Sequence, residues 1–463
     1  MKVSIQFLGA VGTVTGSKYL LTVGRQKILI DCGLFQGLKE LRLRNWQPLP
    51  LNVSEIDTVL ITHAHIDHIG YLPRLYRDGF RGQIICTQAT QDLMRIMLLD
   101  SAHLQEEDAA FAARKGYAKH PQPEPLYDTK DVDALLPQVR GYAYDTTVEV
   151  WPGVEIIFRY AGHILGAASI EMFLKSSTPT RKIVFSGDLG RYDNPILHDP
   201  AVISDADVLL IESTYGDKDN PVDAPDDRLE QIINETVARN GCVVIPAFAV
   251  GRSQAIVHYL QKLERAGRIP ALPVYLDSPM AITVSNLYAR HLASHKLPLD
   301  HSDNDIFFLR ELHYIEKAAQ SKHLNDIQSR AIIISASGMC EGGRIVHHLY
   351  NRLPRPNDTL LLVGYQAAGT RGRRILNGEP EIRMFGENIP VRCRVEYING
   401  LSGHADRAEL LRWLSSFSKV PEQVFLVHGE PETAQAFAKT LKNKLDWHPV
   451  IPEYLEIFTL FED

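Results

Sequence analysis

Short runs of β-branched and aliphatic residues punctuate the first 215 positions: KVSIQF, KYLLTV, KILID, TVLIT, QIICT, VEIIF, SIEMFL, KIVFSGD and VLLIE. Most stop at Gly, Asp, Asn or His, and the early ones come in closely spaced pairs. The pattern predicts hairpins feeding sheets that pack together, with helices outside. One long stretch breaks the rhythm. From roughly Gln88 to Lys115 the mixed polar and apolar pattern has helical spacing, predicting an amphipathic helix that HPQPEP, His120 to Pro125, brings to an end.

From about residue 216 the grammar changes. Strand-like CVVIPAF, PVYLDS, AIIISA and TLLLVGY alternate with helical patterns beginning near Asp226, Gly251, Pro279 and Gly343, the signature of a parallel α/β sheet and of a second domain. After Val391 come VRCRVEYI, a helix from Asp406, the strand QVFLVHG and a last helix from Glu432. The fold class is therefore α/β. A chain of 463 residues, 45% of them hydrophobic, can bury the cores this requires.

Composition narrows the classes of partner. A formal net charge of −7 excludes a chain that holds nucleic acid by bulk charge and leaves only a local basic groove. The five cysteines are scattered, form no CxxC pair and sit mostly in strand-like runs, as buried thiols of a reducing cytosol would. The N-terminal MKVSIQFLG enters a strand pattern directly, and no apolar run approaches a membrane span, so a soluble, cytoplasmic protein with no membrane partner is expected.

The chemistry concentrates in ITHAHIDHIG, Ile61 to Gly70. Residues two apart on a strand end face the same way, so His63 and His65 reach one point, while Asp67 and His68, at the start of a helix, reach a neighbouring one. Three imidazoles and a carboxylate so close strand unpaired donors unless a cation organises them. Other apolar runs close on a polar residue beside glycine: His163 in YAGHILGA, Asp188 in FSGDLG and His428 in FLVHGE. Glycine lets backbone approach a crowded site, so these are the further ligand candidates. Asp31 in ILIDCG follows the same rule, but a carboxylate there better fits orienting a ligand histidine. His103, His347 and His348 read as helix packing or surface.

In this order, Asp31, the His63–His68 motif, His163 and Asp188 resemble the metallo-β-lactamase superfamily. The resemblance implies an αββα sandwich with two divalent ions, usually zinc. His63, His65 and His163 would hold one, Asp67 and His68 the other, with Asp188 bridging and His428 completing the set. Glu212 in IESTYG, His404 in LSGHAD and His428 look like the three marks of the β-CASP nucleases. PAFAVGRSQ, DSPMA, SASGMCEGGRIVHHL and VGYQAAGTRGR are similar to that family as well. This implies a metallo-β-lactamase domain at 1–215 and 397–463, with a parallel α/β β-CASP domain inserted at 216–396.

A histidine at the last motif goes with RNA in this family, so the resemblance implies a metal-dependent ribonuclease acting on single-stranded RNA, in endonucleolytic or 5′-exonucleolytic mode. Two metals would generate and bridge a hydroxide, with Asp67 helping to orient it. His404 would serve as general acid, oriented by Glu212. In the inserted domain, Ser337, Gly338, Gly342 and Gly343 around GMCEGG would present backbone N–H groups to phosphate. Arg252, Arg344, Arg371, Arg373 and Arg374 would meet others. The absence of the KH-type extension of larger relatives predicts little sequence specificity, and a homodimer is left open. Two competing readings share the motif: a small-molecule thioester hydrolase of the glyoxalase II kind, and a non-catalytic RNA-binding subunit.

Overall fold

The computed structural model describes residues 2–115, 123–175, 178–220, 225–297, 306–307, 309–364, 366, 369–398 and 400–462. The His120–Gln122 part of the expected helix stop lies outside the described residues. The chain forms two compact units. One comprises Met1–Asn194, His198–Asp219 and His404–Asp463, the other Pro195–Leu197 and Asn220–Gly403.

In the first unit, a seven-stranded sheet runs in the order Ile457–Glu462, Lys2–Phe7, Tyr19–Val23, Gln26–Ile30, Thr58–Leu60, Gln83–Thr87, Val139–Tyr142. A six-stranded sheet runs Gln423–Val427, Val208–Glu212, Arg181–Phe185, Ala168–Leu174, Val154–Tyr160, Thr147–Trp151. Period-two alternation sends Val3, Ile5 and Phe7 inward from one sheet and Ile156 and Phe158 inward from the other, into a single core shared by both. Each such side chain contributes about 1.5–3 kcal/mol by leaving water. The early hairpins are present, since Lys2–Phe7, Tyr19–Val23 and Gln26–Ile30 pair antiparallel in sequence order.

Strand direction then fixes where chemistry can collect. Arg181–Phe185, Val208–Glu212 and Gln423–Val427 are parallel, so their carboxyl ends share one rim. Val154–Tyr160 is two antiparallel steps from Arg181–Phe185 and ends at that rim too. In the other sheet, Gln26–Ile30 and Thr58–Leu60 are also parallel.

The helix Gln88–Lys115 forms over the expected residues. Ala89, Leu93, Met94, Leu98 and Ala102 are buried, whereas Leu104 and Phe111 are 51% and 46% exposed, so only its first half presents a covered apolar face. Among the described residues, no helix is long and apolar enough to cross a membrane.

The second unit is built on a six-stranded, all-parallel sheet in the order Leu312–Tyr314, Val274–Asp277, Ile332–Ser335, Val243–Pro246, Thr359–Val363, Arg394–Ile398. Its central strands are buried at every position, as covering both faces requires. An antiparallel hairpin, Glu381–Met384 with Glu387–Pro390, adds an element that the strand–helix alternation had not suggested.

The chain leaves Val274–Asp277 toward one edge and Ile332–Ser335 toward the other, which makes their shared carboxyl end a topological switch point. Asp277, fully buried there, accepts hydrogen bonds from Arg344 Nη1 (2.7 Å), Ser321 Oγ (2.6 Å) and His348 Nε2 (2.6 Å). Burial alone would raise the carboxyl's pKa, but bonds from His348, Ser321 and Arg344 outweigh it and hold the group below its usual 3.8. Asp277→Asn is therefore expected to cost about 3 kcal/mol at neutral pH, because it leaves the Arg344 guanidinium without its anion. A group with a depressed folded pKa contributes stability above its unfolded value and loses it as pH falls through the folded one. Denaturant melts of native and variant chains should thus begin to converge as pH falls below about 4.

Candidate metal centre

The loop after Thr58–Leu60 carries His63 and His65, and the short helix Ile66–Ile69 carries Asp67 and His68. His163 follows Val154–Tyr160, Asp188 follows Arg181–Phe185, and His428 follows Gln423–Val427. All of these lie in the first unit. Close backbone approach holds them together. A Cβ on Gly33 would sit 1.5 Å from the Asp67 carbonyl oxygen, and one on Gly190 would sit 1.8 Å from that of Gly162.

Two histidine-rich donor groups result, and Asp188, Glu212 and His404 form a third. In the first, His65 Nδ1 lies 3.1 Å from His63 Nε2 and 3.1 Å from His163 Nε2, while Asp188 Oδ2 lies 3.5 and 3.6 Å from the latter two nitrogens. In the second, His428 Nε2 lies 3.2 Å from both His68 Nε2 and Asp67 Oδ2. The same Asp188 Oδ2 is 3.4 Å from His68 Nε2. One carboxylate oxygen therefore stands between the two groups.

The donor set fits divalent cations. Tetrahedral bonds of roughly 2.0–2.1 Å place neighbouring donors about 3.3 Å apart, the spacing both groups show. Asp188 Oδ1 is buried and accepts no hydrogen bond. Burial pushes His63 well below the usual imidazole range and His65 to about 4, so both present lone pairs at neutral pH. Burial would raise Asp67, but His428, His68 and His65 hold it near 2. His68 is buried as well, yet the charges of Asp188 and Asp31 raise its pKa well above 6.5. The pocket calls for positive charge.

Outer partners set each ring. Asp31 Oδ2 accepts from His68 Nδ1 at 2.7 Å, leaving Nε2 turned to the cluster, and Asp31 is itself fixed by the backbone N–H (2.8 Å) and hydroxyl (2.9 Å) of Thr62. Thr62 Oγ1 also meets His63 Nδ1 at 3.1 Å, and Thr214 Oγ1 meets His428 Nδ1 at 3.1 Å. Thr62 and Thr214 escaped the sequence reading. A threonine directly before HxHxDH was the visible signal for the first, whereas nothing local linked Thr214 to a histidine 214 positions away. Asp31 and His428 both adopt left-handed backbone, φ 57° and 50°, a strained conformation for a side-chain-bearing residue that the surrounding bonds maintain.

Beside the first donor group, His404 Nδ1 lies 3.1 Å from Glu212 Oε2, and its ring centroid is 4.4 Å from that of His163. Glu212 is fully buried and its Oε1 accepts from the Leu189 N–H at 2.5 Å. Burial would lower the His404 pKa, but Glu212, with help from Asp188 and Asp67, raises it to about 9. The imidazole is thus cationic at neutral pH, with Nδ1 committed to Glu212.

In the second unit, the strands Ile332–Ser335, Val243–Pro246 and Thr359–Val363 are neighbours and parallel. Ser337, Gly338, Gly342 and Gly343, then Arg252, then Arg371 and Arg373 follow their carboxyl ends. The Arg344 guanidinium binds Asp277 and the carbonyls of Ile315 (2.8 Å) and Glu316 (2.6 Å). Arg371 Nη1 donates to the carbonyls of Cys340 (3.1 Å) and Glu341 (2.9 Å), Arg373 Nε to that of Gln366 (2.7 Å), and Arg374 pairs with Glu379 (2.6 Å). These bonds tie the loops of the rim to one another.

Fold and donor set together define a metallo-hydrolase. The metallo-β-lactamase superfamily model matches residues 11–239, a Beta-Casp domain model 253–375, and a model described as a Zn-dependent metallo-hydrolase RNA specificity domain 388–452. Ribonuclease TTHA0252 of Thermus thermophilus is 37% identical over 441 residues, spanning 94% of each chain. Transcription termination factor FttA of Methanosarcina mazei is 32% identical over 458 residues, 96% of this chain and 69% of that one. Among solved structures, a protein of unknown function from Enterococcus faecalis V583 shares the fold at 13% identity, with a TM-score of 0.56 and coverage of 99% of this chain and 100% of the other. The chain belongs to the β-CASP ribonuclease family of the metallo-β-lactamase superfamily, a family of metal-dependent nucleases.

Proposed function

We propose that this chain is a ribonuclease that hydrolyses phosphodiester bonds of single-stranded RNA with two divalent ions, zinc being the expected occupant. His63, His65, His163 and Asp188 would hold one, and Asp67, His68, His428 and the shared Asp188 the other. Such an ion pair supplies charge neutralisation at the phosphoryl oxygens and a nucleophilic water at neutral pH, whose pKa falls from about 15.7 to about 7. Asp67, held ionised, would orient that water. His404 keeps Nδ1 on Glu212 and carries its other proton at Nε2, available for the departing sugar oxygen.

The observation that carries this reading is the His404–Glu212 pair beside the histidine cluster, a proton donor placed where a hydrolytic metal centre needs one. The name of the 37%-identical relative and the RNA specificity model support RNA as substrate, and the Beta-Casp match speaks against the thioester hydrolase. The second unit would hold the strand through the rim around Ser337–Gly343, Arg252, Arg371 and Arg373.

Cleavage of end-labelled single-stranded RNA should be abolished by a chelator or by Asp67→Ala, with the melting transition retained. Full cleavage by metal-free protein, or faster turnover of a thioester than of RNA, would overturn the reading.

A further inference from the structure

The strand Val243–Pro246 runs into a short turn before the helix Arg252–Arg265. In that turn Ala247 and Val250 are buried, yet Phe248 leaves 41% of its surface in solvent. The ring stands at the carboxyl-end rim of a parallel sheet, where α/β folds place their ligands.

The backbone that carries the ring is anchored. The Phe248 carbonyl accepts from the N–H (3.2 Å) and the hydroxyl (2.8 Å) of Ser253, which anchors its backbone to the helix start. One part of the ring rests on Gly338, where a Cβ would come within 2.8 and 3.0 Å of ring carbons. A bare backbone is thus what lets the ring lie down on the neighbouring loop. Ser337 and Met339, on either side of Gly338 in the chain, are half-buried.

We propose that Phe248 is a stacking platform for an unpaired nucleobase of the bound strand, an inference that rests on the RNA reading above. A flat ring that lies on Gly338 and keeps 41% of its residue's surface in solvent matches the one surface common to all four bases, their π-face. It also answers a problem set by composition. With a net charge of −7, the chain gains little from bulk attraction to a polyanion, so an uncharged contact adds affinity where extra cations are few. Stacking of this kind is sequence-tolerant.

The test is binding of a short fluorescent single-stranded RNA to the full chain by anisotropy, with chelator present to stop cleavage. Phe248→Ala and Phe248→Leu, the latter keeping apolar packing on Gly338, are expected to weaken binding about tenfold, and Phe248→Trp to retain it. The slope of affinity against salt should not change, because no phosphate contact is lost. Strands carrying one abasic residue, scanned along their length, should reveal a position that weakens the native chain but not Phe248→Ala. Native-like binding by Phe248→Ala and Phe248→Leu, with the abasic effect intact, would refute the platform while leaving the RNA reading standing. A native chain that neither binds these strands nor cleaves them once metal is restored would refute the RNA reading itself.

Discussion

Asp188→Asn is expected to lower RNA cleavage at least about a thousandfold and to reduce the metal carried per chain. Its Oδ2 is the atom common to both donor groups, 3.5 Å from His63, 3.6 Å from His163 and 3.4 Å from His68. Asparagine keeps the shape but removes the charge, in a pocket that is otherwise mostly imidazole. Metal centres contribute several kcal/mol of charge stabilisation in the transition state, and each 1.36 kcal/mol is about tenfold in rate, so on the proposed two-ion reading the loss of a shared ligand would account for about three decades. Elemental analysis of the purified variant and single-turnover cleavage check both halves. A variant with full metal content and near-native cleavage would show that the two groups do not depend on their shared oxygen.

The second large effect belongs to the His404–Glu212 pair. His404→Ala is expected to slow cleavage by about 10²–10⁴-fold, the usual contribution of a positioned proton donor. Glu212→Gln should cost less, about 10–100-fold, because a glutamine oxygen still accepts from Nδ1 while the charge that raises the imidazole's pKa is gone. Both variants should keep native metal content, since His404 Nδ1 points at Glu212 rather than at the histidine cluster. The decisive comparison is the leaving group. On a nitrophenyl phosphodiester, whose leaving group departs as an anion, both variants should retain most of the native rate. Equal losses on RNA and nitrophenyl ester, or a fall in bound metal, would make the pair structural or ligating instead.

Much of the centre was legible in the chain. A strand end followed by HxHxDH fixes local geometry, because side-chain direction alternates along a strand and a helix start turns the next residues to one side. The distant residues His163, Asp188 and His428 were legible as a pattern, an apolar run closing on a polar residue beside glycine. Other features were not. Arg344, read as a phosphate contact, is bound to Asp277, a carboxylate 67 positions earlier that no local pattern connects to it. Leu104 and Phe111 in the helix Gln88–Lys115, about half exposed, looked like a continuation of its packed first half, because helical periodicity reports a face but not how deeply it is buried.

The sequence by itself determined which donors exist and where they lie: Asp31, His163, Asp188 and His428 beside strand ends, and His63, His65, Asp67 and His68 in one motif running from a strand end into a helix, with Glu212 marked by resemblance to the β-CASP nucleases. Only the tertiary structure decided which of them meet. Parallel registry of three strands drawn from residues 181, 208 and 423 onward brings Asp188, Glu212 and His428 to one rim, and closure of the two sheets over a common core brings His63 and His68 to face them. Those pairings are set by burial of apolar faces far from the site. The chemistry is thus written in short stretches of chain, while its assembly is fixed by long-range packing that those stretches do not encode.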